Sequence, residues 1–196
     1  MRILAFTDHH GDAHALAKVK KKSKKADLIL CGGDITIFEN HLKRIVRELN
    51  GLGKKVLLIH GNHEDERTLR KECEHHRNLT FLHKKFYEQD DVLFVGYGGG
   101  GFAPRDGEFE EFSKKIKTRH KKGQKLVVIL HGPPHGTKVD IVMGDHVGSK
   151  SYANFIRKQK PDLVICGHIH DCNHRHDMIG KSIVVNPGPD GKMMDL

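Results

Sequence analysis

The stretch Ile3-Leu4-Ala5-Phe6-Thr7-Asp8-His9-His10-Gly11 passes from an apolar run into a turn rich in carboxylate and imidazole that closes on glycine. An apolar run this short, bounded by a polar turn, reads as a strand buried on both faces. The polar turn then falls just beyond the carboxyl end of that strand, the edge where open α/β sheets bind ligands. The pattern repeats along the chain. Residues 28–31 lead into Gly32-Gly33-Asp34, and residues 56–60 into Gly61-Asn62-His63-Glu64. Residues 126–131 end in His131-Gly132-Pro133-Pro134, and residues 163–166 lead into Gly167-His168-Ile169-His170. Five strand ends thus carry Asp, Asn and His toward one edge.

Helical patterns near residues 12–24, 39–49 and 64–75 separate the early strands. This β-α-β-α-β-α opening predicts parallel strands joined by crossover helices, an α/β fold. Residues 79–97 read as strand-rich hairpin sequence, residues 107–122 and 150–160 as two further helices, and residues 175–186 as a hairpin turning at Gly180-Lys181. The segment 132–149, with two prolines and several glycines, is the longest break and a candidate wall of a site. With 196 residues, 37% of them hydrophobic, and no internal repeat, one domain over residues 1–196 is expected.

A formal charge of +9 favours anionic partners, phosphate esters or nucleic acid among them. The lysines of residues 18–25 flank a short apolar stripe, so they read as the solvated face of a helix, with a nucleic-acid contact as the alternative. Cys31, Cys73, Cys166 and Cys172 form no C-x-x-C pair, and no leader-like segment precedes the first strand, so reduced thiols and a cytoplasmic location are expected. No apolar run approaches the roughly 20 residues of a bilayer span, so no membrane partner is expected. Cys31 and Cys166 read as small core residues.

In an extended segment residues i and i+2 share a side, which would let Asp8 and His10 reach one ion together while His9 points away, and His168 and His170 do the same. A carboxylate has two oxygens, so one Asp can bridge two cations about 3.5 to 4 Å apart, and Asp34 is the candidate bridge. Among the 17 histidines, His14, His41, His75, His76, His83 and His120 read as surface, whereas His135, His146, His174 and His176 lie on loops that can face the site. The glycines of residues 98–101 lack the Lys-Ser/Thr of a P-loop and read as a loop bordering the site.

The motifs D-x-H, G-G-D, G-N-H-E, H-G-P-P and G-H-x-H, in this order from Asp8 to His170, resemble those of the calcineurin-like metallophosphoesterase superfamily. The resemblance implies a four-layer α/β/β/α sandwich of two mixed sheets flanked by helices. It implies that Asp8, His10, Asp34 and His170 hold one divalent metal ion and that Asp34, Asn62, His131 and His168 hold a second. Mn is the expected metal, with Fe, Zn, Co or Ni also suited to an oxygen and nitrogen ligand set. Hydrolysis would proceed by in-line attack of a hydroxide bridging the two metals, with Asp34 and His63 as catalytic residues and Asn62, His63 and His146 as substrate contacts. Phosphoprotein phosphatases of similar pattern follow the bridging Asp with Asp and Arg, whereas Asp34 is followed by Ile35, Thr36, Ile37 and Phe38. A small phosphoester, a nucleotide-like or cyclic phosphodiester first, is therefore the expected substrate. The alternatives are a phosphomonoesterase, a nuclease, or a non-catalytic scaffold that binds nucleic acid or protein.

Overall fold

The structure is a computed structural model covering residues 1–196. The first half of the chain runs β1 (Arg2–Phe6), α1 (Ala13–Ser23), β2 (Leu28–Cys31), α2 (Leu42–Asn50), β3 (Val56–Leu58), α3 (Glu66–Glu74) and β4 (Leu79–Phe81). The second half runs β5 (Lys85–Gln89), β6 (Val92–Tyr97), α4 (Gly107–Arg119), β7 (Lys125–Leu130), the short ribbon β8 (Ile141–Val142) and β9 (Asp145–His146), and α5 (Lys150–Gln159). It continues through β10 (Leu163–Ile165), a 3-10 turn at His170–Cys172, β11 (His176–Ile179), β12 (Ser182–Val185) and β13 (Lys192–Asp195).

Two mixed sheets form, in strand orders β13-β1-β2-β3-β4 and β11-β12-β10-β7-β6-β5. Strands β1 to β4 pair in parallel, and β13 returns antiparallel to β1. In the second sheet β6, β7, β10 and β12 are parallel, while β5 and β11 close its edges as antiparallel hairpin strands. The alternation of side chains along each strand divides the apolar residues into layers. Ile3, Ala5, Leu28, Leu30 and Leu57 meet Phe94, Val127, Ile129, Leu163 and Ile165 between the sheets. Leu4, Phe6, Ile29 and Cys31 face the other way, against Val19 of α1, Ile45 and Leu49 of α2 and Leu69 of α3. Leu126, Val128 and Val164 likewise pack under Phe109 and Ile116 of α4 and Phe155 and Ile156 of α5. The resulting order of layers is α/β/β/α, with β2, β3, β6 and β10 buried along their whole length.

Local signals set the helix starts. Asp12 caps α1 by accepting from the His14 and Ala15 amides at 2.7 and 3.2 Å, Asp65 caps α3 through the Thr68 amide, and Ser149 caps α5. Helix α2 begins three residues later than its periodicity predicts, because Phe38, Glu39 and His41 all hold left-handed backbone, φ 47°, 62° and 59°. Three other expectations need correction. Strand β4 does not hairpin with β5 but joins the first sheet beside β3. His83, expected on the surface, is buried, its Nδ1 accepting from the Gly98 amide at 2.8 Å. Among the lysines of residues 18–25, Lys18, Lys20, Lys21, Lys24 and Lys25 are exposed, but Lys22 docks onto the turn before β13. It donates to the Asp190 and Gly191 carbonyls and pairs with the Asp190 carboxylate at 3.2 Å. All four cysteines are buried free thiols, and no helix is long and apolar enough to cross a membrane.

Candidate metal centre

The loops after β1, β2, β3, β7 and β10 meet at the carboxyl edge of the two sheets. There, potential ligand atoms of Asp8, His10 and His170 lie within 4.8 Å of one another, as do those of Asp34, His131 and His168, and those of His10, Asp34 and His63. Asn62 joins the second group, its Oδ1 lying 2.8 Å from His168 Nδ1 and 3.0 Å from His131 Nε2. Seven proposed ligands and His63 are thus brought together. His146 is not in these groups. It stands on β9, half exposed, its Nδ1 donating to the buried Asp140 carboxylate at 2.7 Å. His135 is its ring neighbour at 5.7 Å.

The pairs Asp8/His10 and His168/His170 converge, but not through extended backbone. Asp8 and His10 have φ 53° and 47°, His168 has φ 69°, and His170 opens the 3-10 turn. Each loop coils immediately after its strand, which turns both side chains inward over a shorter span than a strand would. His9 is directed into the core beside Phe6, with rings 5.7 Å apart, and burial pushes its imidazole down to about 4.

Glycine serves close packing of these loops against one another. A Cβ on Gly61 would stand 1.9 Å from Asp34 Oδ1, and one on Gly167 would stand 2.3 Å from Asp8 Oδ2. The two carboxylates occupy the space that side chains there would need. Sequence reasoning gave Glu64 no task, yet it ties two ligand loops together. Its carboxylate accepts from the amides of Asp34 at 3.0 Å, Thr36 at 2.9 Å and Gly61 at 3.1 Å, and from the Thr36 hydroxyl at 2.6 Å. The spacing of G-N-H-E puts it immediately before Asp65, the N-cap of α3, a position from which it can reach back to loop amides.

Carbonyls orient two of the imidazoles. His10 Nδ1–H donates to Thr36 O at 2.9 Å, which leaves its Nε2 facing His170 Nε2 at 3.0 Å. His131 Nδ1–H donates to Gly32 O at 2.8 Å, and its Nε2 lies 3.4 Å from Asp34 Oδ2. Such a bond on one ring nitrogen fixes the ring and directs the other at an ion. Burial acts against the charge on both members of the Asp34–His131 pair, yet their hydrogen bond and mutual attraction prevail. Asp34 falls to about 2, helped also by the His63 amide, and His131 rises to about 9. Burial lowers His168 to about 4, and burial together with the neighbouring Asp34 charge raises Asp8, which His131 only partly offsets.

The donor set fits divalent cations. Asp8 Oδ1 and His168 Nε2 are buried without a hydrogen-bond partner, an expensive state for a carboxylate oxygen and a ring nitrogen unless something binds there. The candidate donors are nitrogen and oxygen, with Cys31 and Cys166 turned into the two helix-facing cores. A cavity of about 400 Å³ opens beside His10 and is lined also by Ile37, His41 and Arg44. A second, of about 510 Å³, lies at the opposite strand ends among Lys125, Leu163, Ile183 and Met194, away from every one of these ligands.

An α/β/β/α sandwich with nitrogen and oxygen ligands clustered at one sheet edge defines a class of metal-dependent hydrolases. The family model of calcineurin-like phosphoesterases matches residues 1–172, and the chain belongs to that family. It is 32% identical over 200 residues to an uncharacterized protein of Methanocaldococcus jannaschii, MJ1162, covering 96% of this chain and 88% of that one. Among solved structures it resembles TT1561 of Thermus thermophilus, with TM-score 0.79 and 22% identity over 96% of this chain and 90% of the other. It also resembles a dimetal phosphatase from Danio rerio, with TM-score 0.69 and 11% identity over 94% and 86% of the two chains. These two likenesses are of fold. Family membership supports a phosphoester hydrolase with a divalent dimetal site.

Proposed function

We propose that the protein hydrolyses phosphodiesters, nucleotide-like or cyclic ones first, with one divalent cation held by Asp8, His10, Asp34 and His170 and another by Asp34, Asn62, His131 and His168. Mn²⁺ is the proposed metal. Two such cations would lower the pKa of a bound water and neutralise the phosphoryl oxygens. The protein's own share is orientation and proton management. Asp34 converges with His10 and His63 on one side and with His131 and His168 on the other, and Thr36 and Gly32 carbonyls hold His10 and His131 in register. The His63 amide donates to Asp34 Oδ1 at 2.9 Å, and its Nε2 lies 3.9 Å from Asp34 Oδ2. From that place the His63 ring can assist the departing oxygen as a general acid, a contribution typically worth about 10² to 10⁴-fold.

The observation that carries the preference for diesters is the company Asp34 keeps. Its ionic partners are His63 and His131, with no lysine or arginine among them. The positions after it are spent otherwise: Ile35 is in the core, Thr36 is bonded to Glu64, and Phe38 is exposed. A dianionic monoester gains from a fixed guanidinium beside the metals, whereas a singly charged diester does not need one. Arg44, which lines the cavity beside His10, is directed toward Glu48 at 3.8 Å. Comparing kcat/KM on bis(para-nitrophenyl) phosphate, para-nitrophenyl phosphate and a phosphopeptide at matched Mn²⁺ tests the reading. The diester should be preferred, and a clear preference for the phosphopeptide would overturn it.

A further inference from the structure

Six large hydrophobic side chains are exposed on this protein, and three of them, Ile37, Phe38 and Phe102, come from the two loops that border the ligand cluster. Phe38 is 75% exposed and Phe102 is 60% exposed. The Phe38 ring lies 4.5 Å from that of His63, and the Phe102 ring lies 4.8 Å from that of His168. The two aromatics therefore stand at different ends of one chain of contacts. It runs from Phe38 to His63, to Asp34 at 3.9 Å, to His131 at 3.4 Å, to His168 at 5.1 Å between rings, and so to Phe102.

Core packing does not account for either position. Phe38 gives little apolar area to the core, yet its backbone is held at φ 47° with Glu39 following at 62°. Strained, non-glycine left-handed residues of this kind persist where surrounding structure enforces them, and they gather at ligand clamps. The enforcement is visible: the Phe38 amide donates to His63 Nδ1 at 3.4 Å, the Glu39 amide to Thr36 Oγ1 at 3.2 Å, and the Asp65 amide to Glu39 Oε1 at 3.0 Å. Phe102 follows the glycines of residues 98–101, where Gly98 and Gly99 are pressed onto His60. A Cβ on Gly98 would meet the His60 carbonyl oxygen at 2.5 Å. That wedge brings the loop over the edge from which Asn62 and His168 project.

We infer that Phe38 and Phe102 form a two-sided aromatic clamp that takes the two organic arms of a phosphodiester, at least the Phe102 arm being flat and aromatic, as an aryl group or nucleobase is. The assignment rests on the reading of this centre as a phosphodiester hydrolase and deepens it. A benzyl ring offers nothing to phosphate oxygens, but its face stacks on a planar arm with little regard to that arm's hydrogen-bonding groups. One platform would serve a monoester; two, at separate ends of the metal ligands, suit a phosphorus carrying two substituents. His63 adjoins Phe38, so the arm on Phe38 is the one that leaves. Water oxygen becomes bonded to phosphorus, the ester bond to the Phe38 arm breaks, that arm's oxygen takes up a proton, and the Phe102 arm departs still attached as a monoester.

The test compares wild type, Phe38→Ala, Phe102→Ala and Phe102→Tyr, all loaded with Mn²⁺. Substrates are bis(para-nitrophenyl) phosphate, methyl para-nitrophenyl phosphate and the para-nitrophenyl ester of thymidine monophosphate. These share a leaving arm and differ in the arm retained. Phe102→Ala should lower the ratio of kcat/KM for the bis-aryl to the methyl diester by about tenfold, the scale of one lost aromatic stack, mostly through KM. Phe102→Tyr should restore it. The thymidine ester falls with the bis-aryl diester if a nucleobase fits the same face, and stays with the methyl diester if only simple aryl groups do; the clamp stands in the first case, and its extension to nucleobases is lost in the second. Calorimetric binding of diphenyl and phenyl phosphate gives a readout free of turnover. Both Phe38→Ala and Phe102→Ala should weaken the diphenyl ester, and Phe102→Ala alone should weaken phenyl phosphate, which has the form of the retained product. Wild type that binds in this pattern but hydrolyses none of the diesters keeps the clamp and removes the hydrolytic reading. Wild type that hydrolyses them, with an unchanged ratio in Phe102→Ala, removes the clamp and keeps hydrolysis.

Discussion

Asp34 takes part in more of the site's short contacts than its one carboxylate would need for capping a turn. It receives the His63 amide, pairs with His131 and belongs to two of the three groups of convergent ligand atoms. Asp34→Asn should therefore abolish hydrolysis more completely than loss of His170, and metal analysis should show both ions weakened. Retention of near wild-type turnover with both metals bound would contradict the bridge. Glu64 acts through position rather than chemistry. Glu64→Gln would turn an amide N–H toward donors in a buried place, costing about 2 to 3 kcal/mol, which lowers Tm by about 5 to 10 °C for a chain of this size. Thermal unfolding at fixed metal checks it, and an unshifted Tm would show that the loops are held otherwise. His63→Gln should slow diesters with alkoxide leaving groups far more than activated aryl diesters, since the latter leave without a proton. Equal losses would move His63 from proton donor to phosphate positioner.

The pair Asp34–His131 also predicts a pH dependence for protein stripped of metal by a chelator. His131 is raised from 6.5 to about 9, so its contribution is complete below about 6.5 and is lost as pH rises through about 9. Asp34 is depressed from 3.8 to about 2, so its contribution is complete above about 3.8 and is lost as pH falls through about 2. The stripped protein should show a falling Tm between pH of about 6.5 and about 9. A cation must displace the His131 proton, so apparent metal affinity should climb over that same interval, by up to about tenfold per pH unit. A metal affinity independent of pH there would argue against His131 as a ligand.

At the scale of elements, strands were the legible part of the sequence. The apolar runs at β1, β2, β3, β7 and β10 appear within a residue or two of their expected bounds, because strands dry on both faces must be continuously apolar. Strand β13 was missed. Lys192-Met193-Met194-Asp195 alternates weakly, and it is placed by pairing with β1 and by Lys22 holding Asp190 and Gly191, neither of which local sequence records. The late start of α2 was hidden for a related reason: nothing in Phe38-Glu39-Asn40-His41 announces left-handed backbone without glycine. The exposed face of α1 remains remote from chemistry in this account. Replacing Lys20, Lys21, Lys24 and Lys25 with Glu should change turnover on a small diester by less than about twofold, since exposed charges at such distance are screened. A large fall in kcat/KM would mean that this basic face guides substrate. Lys22→Met, by contrast, should destabilise by about 1 to 2 kcal/mol through its carbonyl and carboxylate bonds.

For the whole molecule, the ordered polar ends of five strands named side chains that the structure brings together, whereas the architecture came from resemblance. Alternating β and α segments permit an open sheet as readily as two facing ones. What separates them is the pairing of β6 with β7 rather than with β4, and the dry interface of Phe94, Val127 and Ile129 against Leu28, Leu30 and Leu57. Facing sheets have a functional consequence. They bring the loop after β7 and the loop after β10, which carry His131, His168 and His170, against loops of the other sheet that carry Asp8, Asp34 and Asn62. The ligand cluster is thus an inter-sheet joint, and metal binding should stiffen both halves together. The most direct measurement is anomalous diffraction from crystals soaked in Mn²⁺ at its absorption edge. The account predicts two peaks about 3.5 to 4 Å apart, both within bonding distance of Asp34, one shared with Asp8, His10 and His170 and the other with Asn62, His131 and His168. A single peak under saturating metal, or two peaks that do not share Asp34, would contradict it.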